Sequence, residues 1–405
     1  MQQRPEGIVP QLQKEMIRTM VEMIPIKAIS PELGGNGEKE RADYLEGVLN
    51  GIGFDEIRRL DTKDVQGVVR SNLVAVIKGT EGKKTLWLAA HIDTVPEGDP
   101  ALWKYDPFKA TLEGDRIYGR GTSDDGQAVV SSIYAFKALV ESGIRPRNNV
   151  GLLLLADEEV GSRYGMEHVL KNYPFGKDDE FLVPDAGNPQ GDEIEVAEKG
   201  ILWFCIKVTG KQGHGSRPDL SLNANRIAMK LALSIDDRLH RKFTSKNEIF
   251  VPPYSTFEPT RREPNVQNIN TIPGTDVFCF DCRILPEVSI DEVLKEVEEE
   301  MQNHEKQYGV RTELRIVQRA DPAPPTDPSA EVVVKLKDSI KALRGIEPKL
   351  VGIGGGTVAA IVRRQGHSAA VWFTVDNVEH APNEYSKVSN MVEDARVFAR
   401  VLSLY

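Results

Sequence analysis

Three stretches of this sequence set ionisable side chains at the ends of apolar runs. In Gly151-Leu152-Leu153-Leu154-Leu155-Ala156-Asp157-Glu158-Glu159-Val160-Gly161 the run stops on three acids. Adjacent carboxylates repel, and beside a dry strand they are costly unless a cation offsets them. In His91-Ile92-Asp93, which follows Thr85 to Ala90, the two polar side chains alternate onto one face of a strand end. The Asp93 carboxylate can therefore reach the imidazole from behind and fix the tautomer of a metal-binding histidine. In Ser123-Asp124-Asp125-Gly126, ahead of an apolar helix from Gln127 to Glu141, Asp125 reads as a helix cap. Asp124 stands where one carboxylate can bridge two ions. Each stretch also has an ordinary role: a solvated turn, a satisfied core histidine, a pair of caps. The strand-end address that His91 shares with the acidic triplet favours metal, because ligands of open α/β sheets bind beyond the carboxyl ends of the strands.

The elements that must hold these residues are legible around them. A short apolar run closed by glycine reads as a buried strand of a parallel sheet. Asn72 to Lys78 and Thr85 to Ala90 read as neighbouring strands across the Gly79 to Gly82 turn. Gln11 to Ile24 and Glu38 to Gly51 have helical periodicity, Val95 to Phe108 is an aromatic loop suited to a pocket wall, and Asp185 again follows an apolar run, Leu182-Val183-Pro184.

From Gly200 the texture changes. Strands are expected at Ile201 to Thr209, Val266 to Thr271, Asp276 to Leu285 and Arg311 to Val317, with helices at Asn223 to Leu239 and Ile290 to Tyr308. That β-α-β-β-α-β order is a ferredoxin-like, split βαβ domain. The four prolines of Ala320 to Pro328 read as the return linker. The expected organisation is an α/β catalytic domain with a mainly parallel central sheet, built from residues 1–199 and 319–405 and interrupted by an inserted domain at 200–318. Val371 to Val375 is a strand leading into Glu379-His380-Ala381-Pro382-Asn383-Glu384, and a helix from Val388 to Leu402 closes the chain.

With 405 residues there is material for two domains. The net charge of −10, with no basic stripe, argues against nucleic acid or an anionic membrane as partner. No run approaches the roughly 20 apolar residues of a membrane span, and residues 1–7 lack a signal-peptide core, so a cytoplasmic location is expected. Three cysteines, few and odd in number, fit a reducing compartment. Cys279 and Cys282, three apart on one strand, face opposite ways about 10 Å apart and can neither pair nor share a metal.

Taken together, His91-x-Asp93, Gly119-Arg120-Gly121-Thr122-Ser123-Asp124, Glu158-Glu159, the later acid Asp185 and the late His380 resemble the co-catalytic zinc amidohydrolases. That family includes succinyl-diaminopimelate desuccinylase, acetylornithine deacetylase, glutamate carboxypeptidase and carnosinase-type dipeptidases. The resemblance implies two Zn²⁺ per chain, replaceable by Co²⁺ or Mn²⁺. His91, Asp124 and Asp185 would hold one, and Asp124, Glu159 and His380 the other. Glu158 would be the general base and Asp93 the support of His91. Two such ions bring the pKa of a shared water towards about 7. The resemblance also implies a cis peptide after Asp124 and makes the insert a lid that pairs the chain into a homodimer.

Within the insert, Gly213-His214-Gly215-Ser216-Arg217-Pro218 reads as a flexible loop presenting one histidine, and a His between glycines is seldom core. By resemblance His214 hydrogen-bonds the developing oxyanion, from its own or a partner subunit. Asn270 and Arg283 resemble residues that bind a substrate carboxylate, as do the backbone N–H groups of Gly355, Gly356 and Thr357. The run Gly352 to Thr357 fails the dinucleotide spacing because Thr357 stands where a third glycine belongs, which sets a dehydrogenase aside. A non-catalytic zinc-binding scaffold would have lost the base or a ligand, and both are present. The expected activity is hydrolysis of the amide of a small amino-acid-derived substrate. N-acyl amino acids stand ahead of dipeptides, although Asp185 and the Asp124-Asp125 pair resemble the dipeptidases.

Overall fold

The computed structural model describes residues 3–405; Met1 and Gln2 lie outside the described residues. Two compact units emerge. One comprises residues up to Val196 with Thr326–Val351 and Thr357–Tyr405, and the other comprises Ala197–Pro325 with Gly352–Gly356.

The first unit is built on an eight-stranded sheet. Its order is Glu56–Lys63, Val69–Ile77, Asn149–Leu155, Thr85–His91, Glu180–Asn188, Ser368–Thr374, Glu193–Glu198, Lys349–Ile353. The four strands from Asn149–Leu155 to Ser368–Thr374 run parallel, with antiparallel pairings on either side. The expected adjacency of Asn72 to Lys78 with Thr85 to Ala90 is therefore wrong: Asn149–Leu155 lies between them and pairs with both. A strand apolar on both faces is buried only with a neighbour on each side. The Gly79 to Gly82 segment turns its amides away from any hairpin, Thr80 donating to the Pro146 carbonyl and Glu81 to that of Arg147.

Gly151 opens the central strand for a steric reason. A Cβ there would fall 2.2 Å from the ring of Trp87, which is fully buried and donates its indole N–H to Asp179. Met166–Asn172 and Val358–Arg364 cover that face of the sheet, and Gln127–Ser142 packs with the terminal helix Val388–Leu404.

The second unit is a four-stranded antiparallel sheet with two helices. The chain runs Gly200–Thr209, Ala224–Lys242, Thr256–Arg262, Thr275–Ile284, Ile290–Tyr308, Arg311–Ala320. Leu231, Ile235 and Leu239 of one helix and Val293 and Val297 of the other bury against Phe204, Phe257 and Phe280. The β-α-β-β-α-β order holds, but the third element is Thr256–Arg262 and not Val266 to Thr271. Only Phe257 of that strand is buried, so its polar face masks the alternation a sequence reading needs. Cys205 and Cys279, directly opposed across Gly200–Thr209 and Thr275–Ile284, form a disulfide, while Cys282 stays free and buried. This corrects the expectation of unpaired thiols. Cys282 indeed does not pair with Cys279, but the partner comes from another strand. Gly352–Gly356 packs with this unit, Gly352 N–H donating to the Ile249 carbonyl at 2.7 Å and Lys199 N–H to that of Ile353 at 3.0 Å. Among the described residues no helix is long and apolar enough to cross a membrane.

Candidate metal centre

Three adjacent parallel strands deliver the site. His91 ends Thr85–His91, Asp157 to Glu159 follow Asn149–Leu155, and Asp185 lies late in Glu180–Asn188. His91 is in register with Leu155, so both carboxyl ends open at one edge of the sheet. Asp157 adopts a left-handed conformation, φ 67°, and turns its carboxylate to the buried Arg70 at 2.9 Å and to the Tyr164 N–H. Glu158 and Glu159 then begin a single helical turn that points into the site.

Asp124 is the hub. Its Oδ1 lies 2.8 Å from His91 Nε2 and its Oδ2 lies 3.1 Å from His380 Nε2. Asp185 Oδ1 is 3.6 Å from the same His91 nitrogen, and Glu159 Oε2 is 3.1 Å from that of His380. The other four expected ligands are thus gathered about Asp124, the two histidines at its two oxygens, Asp185 beside His91 and Glu159 beside His380. The Asp124–Asp125 peptide is cis. Asp125, read from sequence as a cap, joins the cluster: ligand atoms of His91, Asp125 and Asp185 lie within 4.8 Å of one another, as do those of His91, Asp124 and Glu159.

Asp93 supports this arrangement. Its carboxylate stands 3.3 Å behind His91 Nδ1 and also accepts the backbone N–H groups of Glu158 and Glu159, at 3.0 and 3.1 Å. One fully buried side chain therefore orients both the first histidine and the acidic turn. Burial, reinforced by the charges of Asp185 and Glu159, pushes the Glu158 carboxyl well above the ordinary range for glutamate. Burial and Asp124 raise Glu159, and burial raises Asp125. His380, held by Asp124 and Glu159, is lifted to about 10.

The donor set fits divalent cations. Glu159 Oε1 and Asp125 Oδ1 are buried without a hydrogen-bond partner. Oxygens and imidazole nitrogens with no thiolate suit zinc, cobalt or manganese, and ions that displace the imidazole protons would offset the repulsion among the acids.

The remaining expected residues lie in the second unit, Thr357 excepted. His214 Nδ1 faces the Ser216 hydroxyl at 2.8 Å and accepts the Ser216 backbone N–H at 3.2 Å. A neutral ring so held carries its proton on Nε2. The expectation of a flexible loop is corrected. Gly213–His214 pairs with Thr271–Ile272, and Gly215 N–H donates to the Asn270 carbonyl at 2.7 Å. Arg283 engages Asp281 through two nitrogens and the Gly354 carbonyl through a third. Thr357 accepts the Ala359 N–H at its own helix start, while Gly354 and Gly355 have open space around them.

Sequence reading missed Arg120 and Glu384. Glu384 is fully buried, accepts the N–H groups of Ser123 and Asp124, and pairs with the Arg120 guanidinium, whose other arm donates to the His380 carbonyl at 3.2 Å. The available signal was an arginine inside the glycine-rich run that leads to Asp124.

Residues 87–404 match the profile of peptidase family M20/M25/M40. A metallohydrolase of Methanocaldococcus jannaschii is 39% identical over 406 residues, covering 96% of this chain and 99% of its own. A succinyl-diaminopimelate desuccinylase of Sulfurimonas denitrificans is 30% identical over 392 residues, covering 95% and 97%. A tripeptidase structure from Staphylococcus aureus has a TM-score of 0.78 at 17% identity, covering 97% and 98%, a likeness of fold.

Proposed function

Because the chain belongs to peptidase family M20/M25/M40, whose members are metal-dependent hydrolases of amide and peptide bonds, we propose that it cleaves the amide of a small amino-acid derivative, an N-acyl amino acid or a dipeptide. The observation that carries this reading is Asp124, which turns one oxygen to His91 and the other to His380, as a carboxylate shared by two cations must. Two zinc ions, when bound, acidify water and polarise the amide carbonyl. We assign one to His91, Asp124 and Asp185, with Asp125 at hand, and the other to Asp124, Glu159 and His380.

Glu158 takes the proton of the attacking water and hands it to the leaving amine nitrogen. Burial of its carboxyl favours the protonated form from which it donates to the amine. Asp93 keeps His91 and the Glu158 turn in place. His214 donates its Nε2–H to the oxygen that becomes negative. Asn270 and the N–H groups of Gly355, Gly356 and Thr357 receive the carboxylate of the amino-acid portion. Arg283, already committed to Asp281 and Gly354, steadies that loop. Two copies pair through the second unit, whose edge strand Arg311–Ala320 exposes Ile316 and Val317.

The test is product release by zinc-loaded protein from N-acetylornithine, N-succinyl-diaminopimelate and a set of dipeptides. Turnover should vanish with chelator and return with zinc. Inertness of the metal-loaded protein towards the whole set would overturn the assignment.

A further inference from the structure

His380 is the least enclosed of the expected ligands. Its side chain is 54% exposed, against 18% or less for His91, Asp124, Asp185 and Glu159. Packing therefore does not fix it, and the backbone works against it: Asn377, His380 and Asn383 adopt the left-handed conformation, φ 53°, 58° and 62°, without being glycine. Such residues persist only where their surroundings hold them. For His380 and Asn383 the holding groups meet at one loop. Asn383 Nδ2 donates to the Leu102 carbonyl at 2.9 Å and Asn383 Oδ1 accepts the Lys104 N–H, so this side chain grips the loop on both sides of Trp103. The Trp103 indole N–H donates to the Glu97 carbonyl at 2.9 Å and shapes the loop from within. The Arg120 guanidinium lies 5.2 Å from the centre of the Trp103 ring and donates to the His380 carbonyl. The contacts form a circuit from His380 through Arg120 and Trp103 to Asn383, three residues beyond the starting point.

We propose that the loop at 97–104 is a latch for the ion assigned to Asp124, Glu159 and His380, and that Asn383 is the positioning residue that closes it. The inference rests on the two-ion reading above and deepens it. Asparagine suits the task twice over. It tolerates the left-handed backbone, and it carries both a donor and an acceptor, as a carbonyl and an N–H gripped together require. Opening the latch frees the backbone of His380. It leaves His91 and Asp185 in place, because the strands Thr85–His91 and Glu180–Asn188 set them. The two ions therefore differ in what releases them: one follows the loop and the other does not.

The experiment titrates Co²⁺ into metal-free protein and follows bound metal and visible absorption, which report the ions without reference to turnover. Wild type should take two equivalents. Asn383→Gly keeps the left-handed conformation and loses both hydrogen bonds. One equivalent should then bind about 10–100-fold more weakly and the other at wild-type affinity. The absorption lost should be that lost in Glu159→Gln, which marks the same ion. Trp103→Phe keeps the ring and removes the indole donor, so it should weaken that ion in the same direction by a smaller factor. Wild-type affinity for both ions in Asn383→Gly, an equal weakening of both, or selective loss of the ion that Glu159→Gln retains overturns the latch and leaves the two-ion reading intact. A wild-type protein that takes no more than one equivalent removes the two-ion reading and this inference with it.

Discussion

Arg120 and Glu384, 264 residues apart, meet at 2.6 Å with both side chains buried. Glu384 also accepts the N–H groups of Ser123 and Asp124, so the pair ties the Asp124 segment to the backbone of His380. Glu384→Gln leaves the Arg120 charge uncompensated and turns an amide donor towards it. Breaking a buried pair in this way costs about 3–5 kcal/mol, and zinc affinity should fall by roughly 10–100-fold as its ligands loosen. Thermal unfolding and zinc titration measure the two effects; an unchanged zinc affinity would free Glu384 from the site.

Glu158 and Glu159 should separate cleanly. Glu158→Gln keeps size and loses the proton acceptor, so kcat should drop by about 10²–10⁴-fold with metal content unchanged. Glu159→Gln should instead weaken one of two metals. Metal analysis beside single-turnover rates distinguishes them, and the reverse pattern would exchange their roles.

For His214, the hydrogen bonds from Ser216 leave Nε2–H as the donor. His214→Ala should lower kcat by about 10²–10³-fold with KM nearly constant and both metals retained. Full activity of this variant would remove the imidazole from the reaction.

Asp394 gives a test by pH. It is fully buried, which lifts its pKa to about 6 despite hydrogen bonds from Thr374 and Gln127. Between about pH 4 and 6 the folded chain then holds more protons at this group than the unfolded chain, so its contribution to stability falls as pH rises through that window. The loss amounts to about 2–3 kcal/mol. Asp394→Asn should flatten that part of the stability profile, measured on metal-free protein by calorimetry at pH 4.5 and 7. An unaltered profile would place the titration elsewhere.

The cross-strand disulfide predicts that denatured, unreduced protein yields a single reactive thiol, Cys282, and reduced protein three. Closing a 74-residue separation stabilises by about 4 kcal/mol on chain-entropy grounds, so Cys205→Ala should lower the melting temperature of the second unit. Three thiols without reductant would contradict the bond.

What was legible in the sequence was local. His91, Asp93, Glu158, Glu159 and Asp185 announce themselves because an apolar run tells the reader where a parallel strand stops, and chemistry collects at that stop. Arg120 with Glu384, and Arg70 with Asp157, depend on chain separations that no periodicity encodes. The Cys205–Cys279 bond required the register of two strands in a sheet, as did the insertion of Asn149–Leu155 between its neighbours. Asp125 was misread because capping explains an acid before a helix equally well.

The glycines on either side of His214 have a consequence for the cost of catalysis. A Cβ on Gly213 would fall 1.9 Å from the Ser221 hydroxyl oxygen, and one on Gly215 would fall 3.0 Å from the Asn270 carbonyl. Glycine, ordinarily the residue of freedom, here permits a fit so close that the freedom is gone once the chain folds. The ordering entropy of the backbone that carries His214 is therefore expended during folding, and in the role proposed for this imidazole it does not recur with each substrate that binds. A larger residue at either position would force Ser221 or the Asn270 backbone aside and loosen the pairing of Gly213–His214 with Thr271–Ile272, and in the proposed role each turnover would then carry the entropic penalty of re-forming it.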